Sequence, residues 1–82
     1  PQYIMVKDKI ELGSINPETA LAKIEQKFSH ADRDQTDGLK LIWDNSWVHI
    51  RKSNTEPIIR IYAEAPTQSE VDELVINVKS IL

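Results

Sequence analysis

The sequence contains no cysteine. That excludes a disulfide framework, a thiolate zinc site and a cysteine nucleophile, and it fits a reducing compartment. It also lacks a basic excess: ten Lys and Arg stand against thirteen Asp and Glu, a formal net charge of −3. Proteins that grip nucleic acid through its phosphates carry a basic face, so this balance argues against that partner. There is no apolar run of membrane-spanning length and no signal-peptide pattern behind Pro1. The expected setting is therefore cytoplasmic, with no membrane partner. There is no internal repeat, no low-complexity stretch and no initiator methionine; the expectation is one piece of a longer chain.

What is present is enough for one domain. The 82 residues are 40% hydrophobic and 28% charged, which supports one modest core. So small a chain leaves little room for a deep, enclosed active site. From Tyr3 to Leu12 the apolar residues Ile4, Val6, Ile10 and Leu12 alternate with Lys7, Lys9 and Glu11, the pattern of a half-buried strand. Gly13 and Ser14 end it. Asn16 is a helix N-cap, Pro17 takes the first helical position and Glu18 the first turn. Leu21, Ile24 and Phe28 then give one apolar face, so a helix is predicted over 17–29.

The polar stretch from His30 to Asp37 allows a short edge strand in its middle and closes on the turn pair Asp37-Gly38. Leu39, Leu41 and Trp43 alternate with Lys40 and Asp44 in a second strand. Asp44-Asn45-Ser46 turns the chain. Trp47–Lys52 and Ile58–Ala65 read as two further strands, and Pro66 stops the last. Thr67 and Glu70 have capping-box spacing, and Val71, Leu74, Val75, Val78 and Leu82 form a stripe at helical spacing to the chain end. The predicted class is α+β: a single, mainly antiparallel sheet of about four strands, with two helices on one face, in β-α-β-β-β-α order.

The loop from Arg51 to Pro57 carries the chemistry. If the two strands around it pair and share a core, Val48 and Ile50 must align with Ile59 and Ile61. Parity then puts Arg51 and Arg60 together on the open face, directly opposite or one diagonal step apart. Two guanidinium groups that close repel unless an anion sits between them. The loop adds the hydroxyls of Ser53 and Thr55, the amide of Asn54 and the N–H groups of a tight bend. The planar fork of Arg suits phosphate, each charge-assisted bond contributing about 1.5–3 kcal/mol. Pro57 stiffens the loop exit. On composition alone the same segment is equally a polar turn.

Arg51-Lys52-Ser53-Asn54-Thr55-Glu56-Pro57, followed by Arg60-Ile61-Tyr62-Ala63-Glu64-Ala65, resembles the C-terminal domain of the α-D-phosphohexomutases, the phosphoglucomutase, phosphomannomutase and phosphoglucosamine mutase group. Asp37-Gly38-Leu39-Lys40 and the Asp44–Val48 turn share the likeness, which covers residues 1–82. The resemblance implies a substrate domain, isolated from a larger enzyme. In that enzyme a phosphoserine donates its phosphate to a hexose phosphate, and the bisphosphate turns over and returns the other phosphate. The matching phosphate-binding positions are Arg51, Ser53, Asn54 and Thr55, with Arg60 as a second contact. Lys52 departs from the family pattern and is expected to point to solvent. Asn54 in place of Gly resembles the phosphomannomutase/phosphoglucomutase branch. Partners implied are a glucose or mannose phosphate and the enzyme's remaining domains. The resemblance implies no cofactor in this domain and Mg2+ held by the others. Ser29-His30 only faintly echoes the family's serine loop, and no catalytic residue is expected.

Other constellations are weaker. Asp32-x-Asp34-x-Thr36 begins like a calcium loop, but Asp37 and Trp43 stand where its glycine and glutamate belong. His49 reads as a surface histidine on the open face. Trp43 and Trp47 read as packing anchors flanking a turn. Two alternative functions stand beside the first. An acylphosphatase-like small phosphatase needs a glycine-rich, Arg-bearing loop before the first helix, and Gly13-Ser14-Ile15-Asn16-Pro17 has no Arg. The other is a non-catalytic interaction module.

Overall fold

The computed structural model describes residues 3–29, 31–34, 38–53 and 55–81. Seven elements follow in the order β1 (Ile4–Glu11), α1 (Pro17–Lys27), β2 (Asp32–Asp34), β3 (Leu39–Ile42), β4 (Trp47–Lys52), β5 (Ile58–Ala65) and α2 (Gln68–Ser80). The expected α+β class holds, with five strands where about four were expected. The fifth is the short edge strand β2.

All five strands form one antiparallel sheet in the order β1-β5-β4-β3-β2. Neighbours in sequence pair by simple turns from β2 to β5. β1 instead pairs with β5 along its whole length, from Ile4 opposite Ala65 to Glu11 opposite Ile58. Helix α1 therefore carries the chain from one edge of the sheet to the other.

The core lies between the sheet and the two helices. Ile24 of α1, Val71 and Val78 of α2, and Leu41, Val48, Ile50, Ile59, Ile61 and Ala63 of the sheet are buried. Period-2 alternation on the strands and 3.6 spacing on the helices place these side chains in one layer. Both helices start as expected. Asn16 Oδ1 accepts from the N–H groups of Glu18 (2.8 Å) and Thr19 (3.2 Å). Thr67 Oγ1 accepts from Glu70 N at 3.2 Å and donates to Glu70 Oε2 at 3.1 Å, a Thr–Glu cap at the start of α2.

Three boundaries differ from expectation. α1 ends at Lys27, with Phe28 as its cap, rather than at 29. α2 ends at Ser80, with Ile81 capping it, and Leu82 lies outside the described residues. Trp43 belongs to the turn and not to β3: its N–H donates to Ser46 O at 2.9 Å, closing the bend. Its indole stacks edge-on against Phe28, ring centroids 5.8 Å apart. Trp43 is thus the packing anchor expected, tying the end of α1 to the β3–β4 turn.

Candidate functional site: the β4–β5 loop

The expected hairpin forms, and its register is the tighter of the two that parity allowed. Ile50 pairs with Ile61, Val48 with Ala63, and Arg51 directly with Arg60. The two arginines stand side by side on the face that no helix covers, both exposed. Arg60 also lies 3.8 Å from Glu56 Oε1, a long and half-exposed contact. Such a contact offsets little of the repulsion between two adjacent guanidinium groups.

The loop above them is organised by Ser53. Its Oγ accepts from the N–H groups of Thr55 and Glu56, each at 3.3 Å, and lies 3.4 Å from Thr55 Oγ1. Two backbone donors and the Thr55 hydroxyl thus converge on Ser53 Oγ. At 3.3 Å these are weak bonds, readily exchanged for a charged acceptor. The loop's roots are firmer. Ser53 N donates to Ile58 O at 3.2 Å, Ile58 N to Glu56 O at 2.8 Å, and Leu12 N to Pro57 O at 2.8 Å. The last bond ties the loop exit to the end of β1. Asn54, the remaining expected contact, lies outside the described residues.

Two features of the site carried no clear signal in the sequence. Gly38 has φ +75°, and a Cβ built on it would lie 2.5 Å from Ile50 O, 3.2 Å from Arg51 Cγ and 3.4 Å from His49 Nε2. The start of β3 thus lies close against the stem of Arg51, and only glycine permits that approach. Lys52 is exposed as expected, yet its Nζ pairs with Glu18 Oε1 at 2.9 Å, linking the loop to the first turn of α1. His49 sits half-buried on the open face beside Tyr62, rings 6.3 Å apart. Trp47 is on the same face; its Nε1 donates to Glu64 at 3.2 Å, and Lys40 Nζ lies 4.6 Å from its ring centre.

One cleft elsewhere on the described residues has the wrong chemistry for an anion. A cleft of about 370 Å³ lies at the opposite end of the sheet, lined by Phe28, Trp43, Asn45, Glu70, Glu73 and Asn77 among others, with no cation. A metal fares no better. Asp32 and Asp34 belong to strand β2, opposite Ile42 and Lys40, rather than to a loop. Thr36 and Asp37 lie outside the described residues, as does His30. Among the described residues no three His, Cys, Asp or Glu side chains come together to hold a metal ion. Among the described residues no helix is long and apolar enough to cross a membrane.

Comparison with known proteins gives the family and the fold. Residues 5–80 match the family model of the phosphoglucomutase/phosphomannomutase C-terminal domain. The chain is 38% identical over 85 residues to a phosphoglucosamine/phosphogalactosamine mutase of Sulfurisphaera tokodaii, covering all of this chain and 19% of that protein. It is 31% identical over 62 residues to a phosphomannomutase of Methanocaldococcus jannaschii, covering 76% of this chain and 14% of the relative. The chain thus spans about a fifth, or less, of the curated relatives' length. A phosphoglucomutase/phosphomannomutase family protein of Burkholderia thailandensis has the same fold, with a TM-score of 0.70 at 20% identity over the whole chain and 18% of that structure. This chain belongs to the phosphoglucomutase/phosphomannomutase family, as its C-terminal domain.

Proposed function

We propose that this domain anchors the substrate phosphate in a phosphoglucomutase/phosphomannomutase-type enzyme, one that moves a phosphate within a hexose phosphate. Arg51, Ser53, Asn54 and Thr55 hold the phosphate that is not being transferred, and Arg60 is the second guanidinium on it. The observation that carries this reading is the direct pairing of Arg51 with Arg60 at the foot of a loop whose hydroxyls and N–H groups converge on one point. An anion there relieves the charge repulsion and accepts every one of those donors.

A phosphohexomutase must hold its ligand in two orientations, once by each phosphate. A loop made of guanidinium, hydroxyl and backbone donors recognises phosphate and is indifferent to the sugar. The relatives' names span glucosamine, galactosamine and mannose phosphates, as a sugar-blind anchor allows. On this reading the sugar is chosen elsewhere, and magnesium and the phosphoserine belong to other domains. The domain closes over the ligand as a lid and excludes water from a transferable phosphate. Alone it is catalytically inactive, and its setting is the cytoplasm.

A titration of the 82-residue chain tests the anchor. Inorganic phosphate or a hexose 1-phosphate is expected to shift the amide NMR signals of Ser53, Thr55 and Glu56 with weak affinity, and Arg51→Ala to abolish the shifts. Signals that stay still at high ligand, or that move equally in the variant, rule the anchor out. Turnover of acetyl phosphate by the chain alone would favour a small phosphatase instead.

A further inference from the structure

Lys52 lies between Arg51 and Ser53 yet takes no part in holding the proposed phosphate. It is the last residue of β4, opposite Ile59, and strand alternation turns it to the helix side with Ile50, away from the open face. There its Nζ meets Glu18 Oε1 at 2.9 Å. Glu18 is held in turn: it stands in the first turn of α1, and its N–H donates to Asn16 Oδ1 at 2.8 Å. The exit of the loop is tied to the same stretch of chain. Leu12 N donates to Pro57 O at 2.8 Å, and Ile15 N to Leu12 O at 2.9 Å. Entry and exit of the loop are thus both moored to residues 12–18, the stretch that joins β1 to the first turn of α1.

The loop needs such moorings because its interior is weakly bonded. The N–H groups of Thr55 and Glu56 reach Ser53 Oγ at 3.3 Å, and Ser53 N reaches Ile58 O at 3.2 Å, at or beyond the long end of the ordinary range. A short backbone bond fixes the exit at Pro57; at the entry the tie is made by side chains, Lys52 to Glu18. We infer that Lys52 and Glu18 are positioning residues: they brace the entry of the β4–β5 loop against α1 and so preset the Ser53–Glu56 bend before the phosphate arrives. Less freedom is then lost on binding. Both side chains are well exposed, so the pair adds little to global stability and its effect is local. This inference rests on the loop being a phosphate anchor.

The brace has a signature that charge alone does not imitate. As a bare charge, Glu18 repels phosphate, and Glu18→Gln would tighten binding. As half of a brace, its loss loosens the loop and weakens binding. Inorganic phosphate is titrated by NMR into the native 82-residue chain, Glu18→Gln, Lys52→Met, Lys52→Arg, the double variant Glu18→Gln/Lys52→Met, and Arg51→Ala. Glu18→Gln and Lys52→Met are each expected to weaken phosphate binding about twofold to fivefold, and Lys52→Arg to keep native affinity. The double variant should bind no more weakly than Lys52→Met, since the two residues act as one unit. In the ligand-free chain, hydrogen exchange at the Ser53 amide should quicken by a similar factor in Glu18→Gln. Native or tighter affinity in Glu18→Gln overturns the brace, and so does unchanged Ser53 exchange. Phosphate shifts that are absent from the native chain, or persist undiminished in Arg51→Ala, overturn the anchor instead, and Ser53 exchange still decides whether the pair braces the loop.

Discussion

The two ends of the sheet are built from opposite materials. At one end the β3–β4 turn is short and closed by its own backbone bond, and Trp43 locks it to Phe28. The surroundings are apolar and acidic, and the cleft there has no cation. At the other end the β4–β5 loop is longer, its N–H groups meet a hydroxyl at 3.3 Å, and two arginines stand beneath it. The first end meets its bonding needs internally. The second keeps donors loosely engaged and leaves like charges adjacent, which is the basis of the anion site proposed there. On the proposed function, the contrast teaches that stability and binding are separated along the strands, about six residues of β4 lying between them.

That separation can be broken at either end, and the largest effect expected is on binding. Arg51→Ala should lower phosphate affinity about 10- to 100-fold, as the loss of one or two charge-assisted bonds implies, while thermal denaturation stays nearly unchanged because the side chain is exposed. Trp43→Ala should do the reverse. It removes a half-buried ring and should cost about 2–3 kcal/mol in urea unfolding, with phosphate affinity intact. If Trp43→Ala weakened phosphate binding by a similar factor, the two ends would be coupled and the contrast would fall.

The two glycines sharpen the comparison. Both have positive φ, +59° at Gly13 and +75° at Gly38. A Cβ at Gly13 meets nothing within 4 Å, so Gly13→Ala should cost only the backbone strain, about 1 kcal/mol. A Cβ at Gly38 collides with Ile50 O and crowds Arg51 Cγ, so Gly38→Ala should cost about 2–3 kcal/mol and also displace the Arg51 stem. Differential scanning calorimetry ranks the two, and the phosphate titration shows whether only Gly38→Ala loses affinity. Equal losses of stability would mean that β3 does not lie against β4 as described.

The smallest effect concerns Asp8. Its carboxylate accepts from Lys79 Nζ at 2.6 Å, and this hydrogen bond, with a second from Lys9 N, holds its pKa below the ordinary carboxylate value. A depressed folded-state pKa stabilises above the unfolded value of 3.8 and loses that contribution as pH falls through the lower folded value. Both side chains are over a third exposed, so solvent screening limits the effect to under about 0.5 kcal/mol. Asp8→Asn should flatten the acid limb of stability below pH 4 by that amount and leave neutral-pH phosphate affinity unchanged.

The opposition of Arg51 and Arg60 was legible from sequence because two apolar faces had to share one core, and parity does not tolerate a one-residue slip. Both helix caps were legible because their signals are local. Strand β2 was only allowed for, since Asp32-Arg33-Asp34 has no apolar alternation and owes its form to pairing with β3 alone. The tie of Asp8 to Lys79 left no trace in the sequence, its partners lying at opposite ends of the chain. Lys9 could be assigned to the outward side of its strand but not to a neighbour, because β1 pairs with a strand far along the chain. The crowding of Gly38 against Arg51 depends on how closely two backbones approach, which no pattern of residue types encodes.

The long-range partnership of β1 and β5 also has a chronology. The β4–β5 hairpin closes a short loop, so Arg51 and Arg60 can meet early in folding. β1 reaches β5 only after a segment of roughly fifty residues has been closed, and such non-local pairing moves folding from microseconds toward milliseconds. On contact order, the pair Arg60–Arg51 is expected to arrive with local structure, and Lys9, opposite Arg60, to dock when the sheet is finished. A nascent or partly unfolded chain would hold the first pair without the third cation.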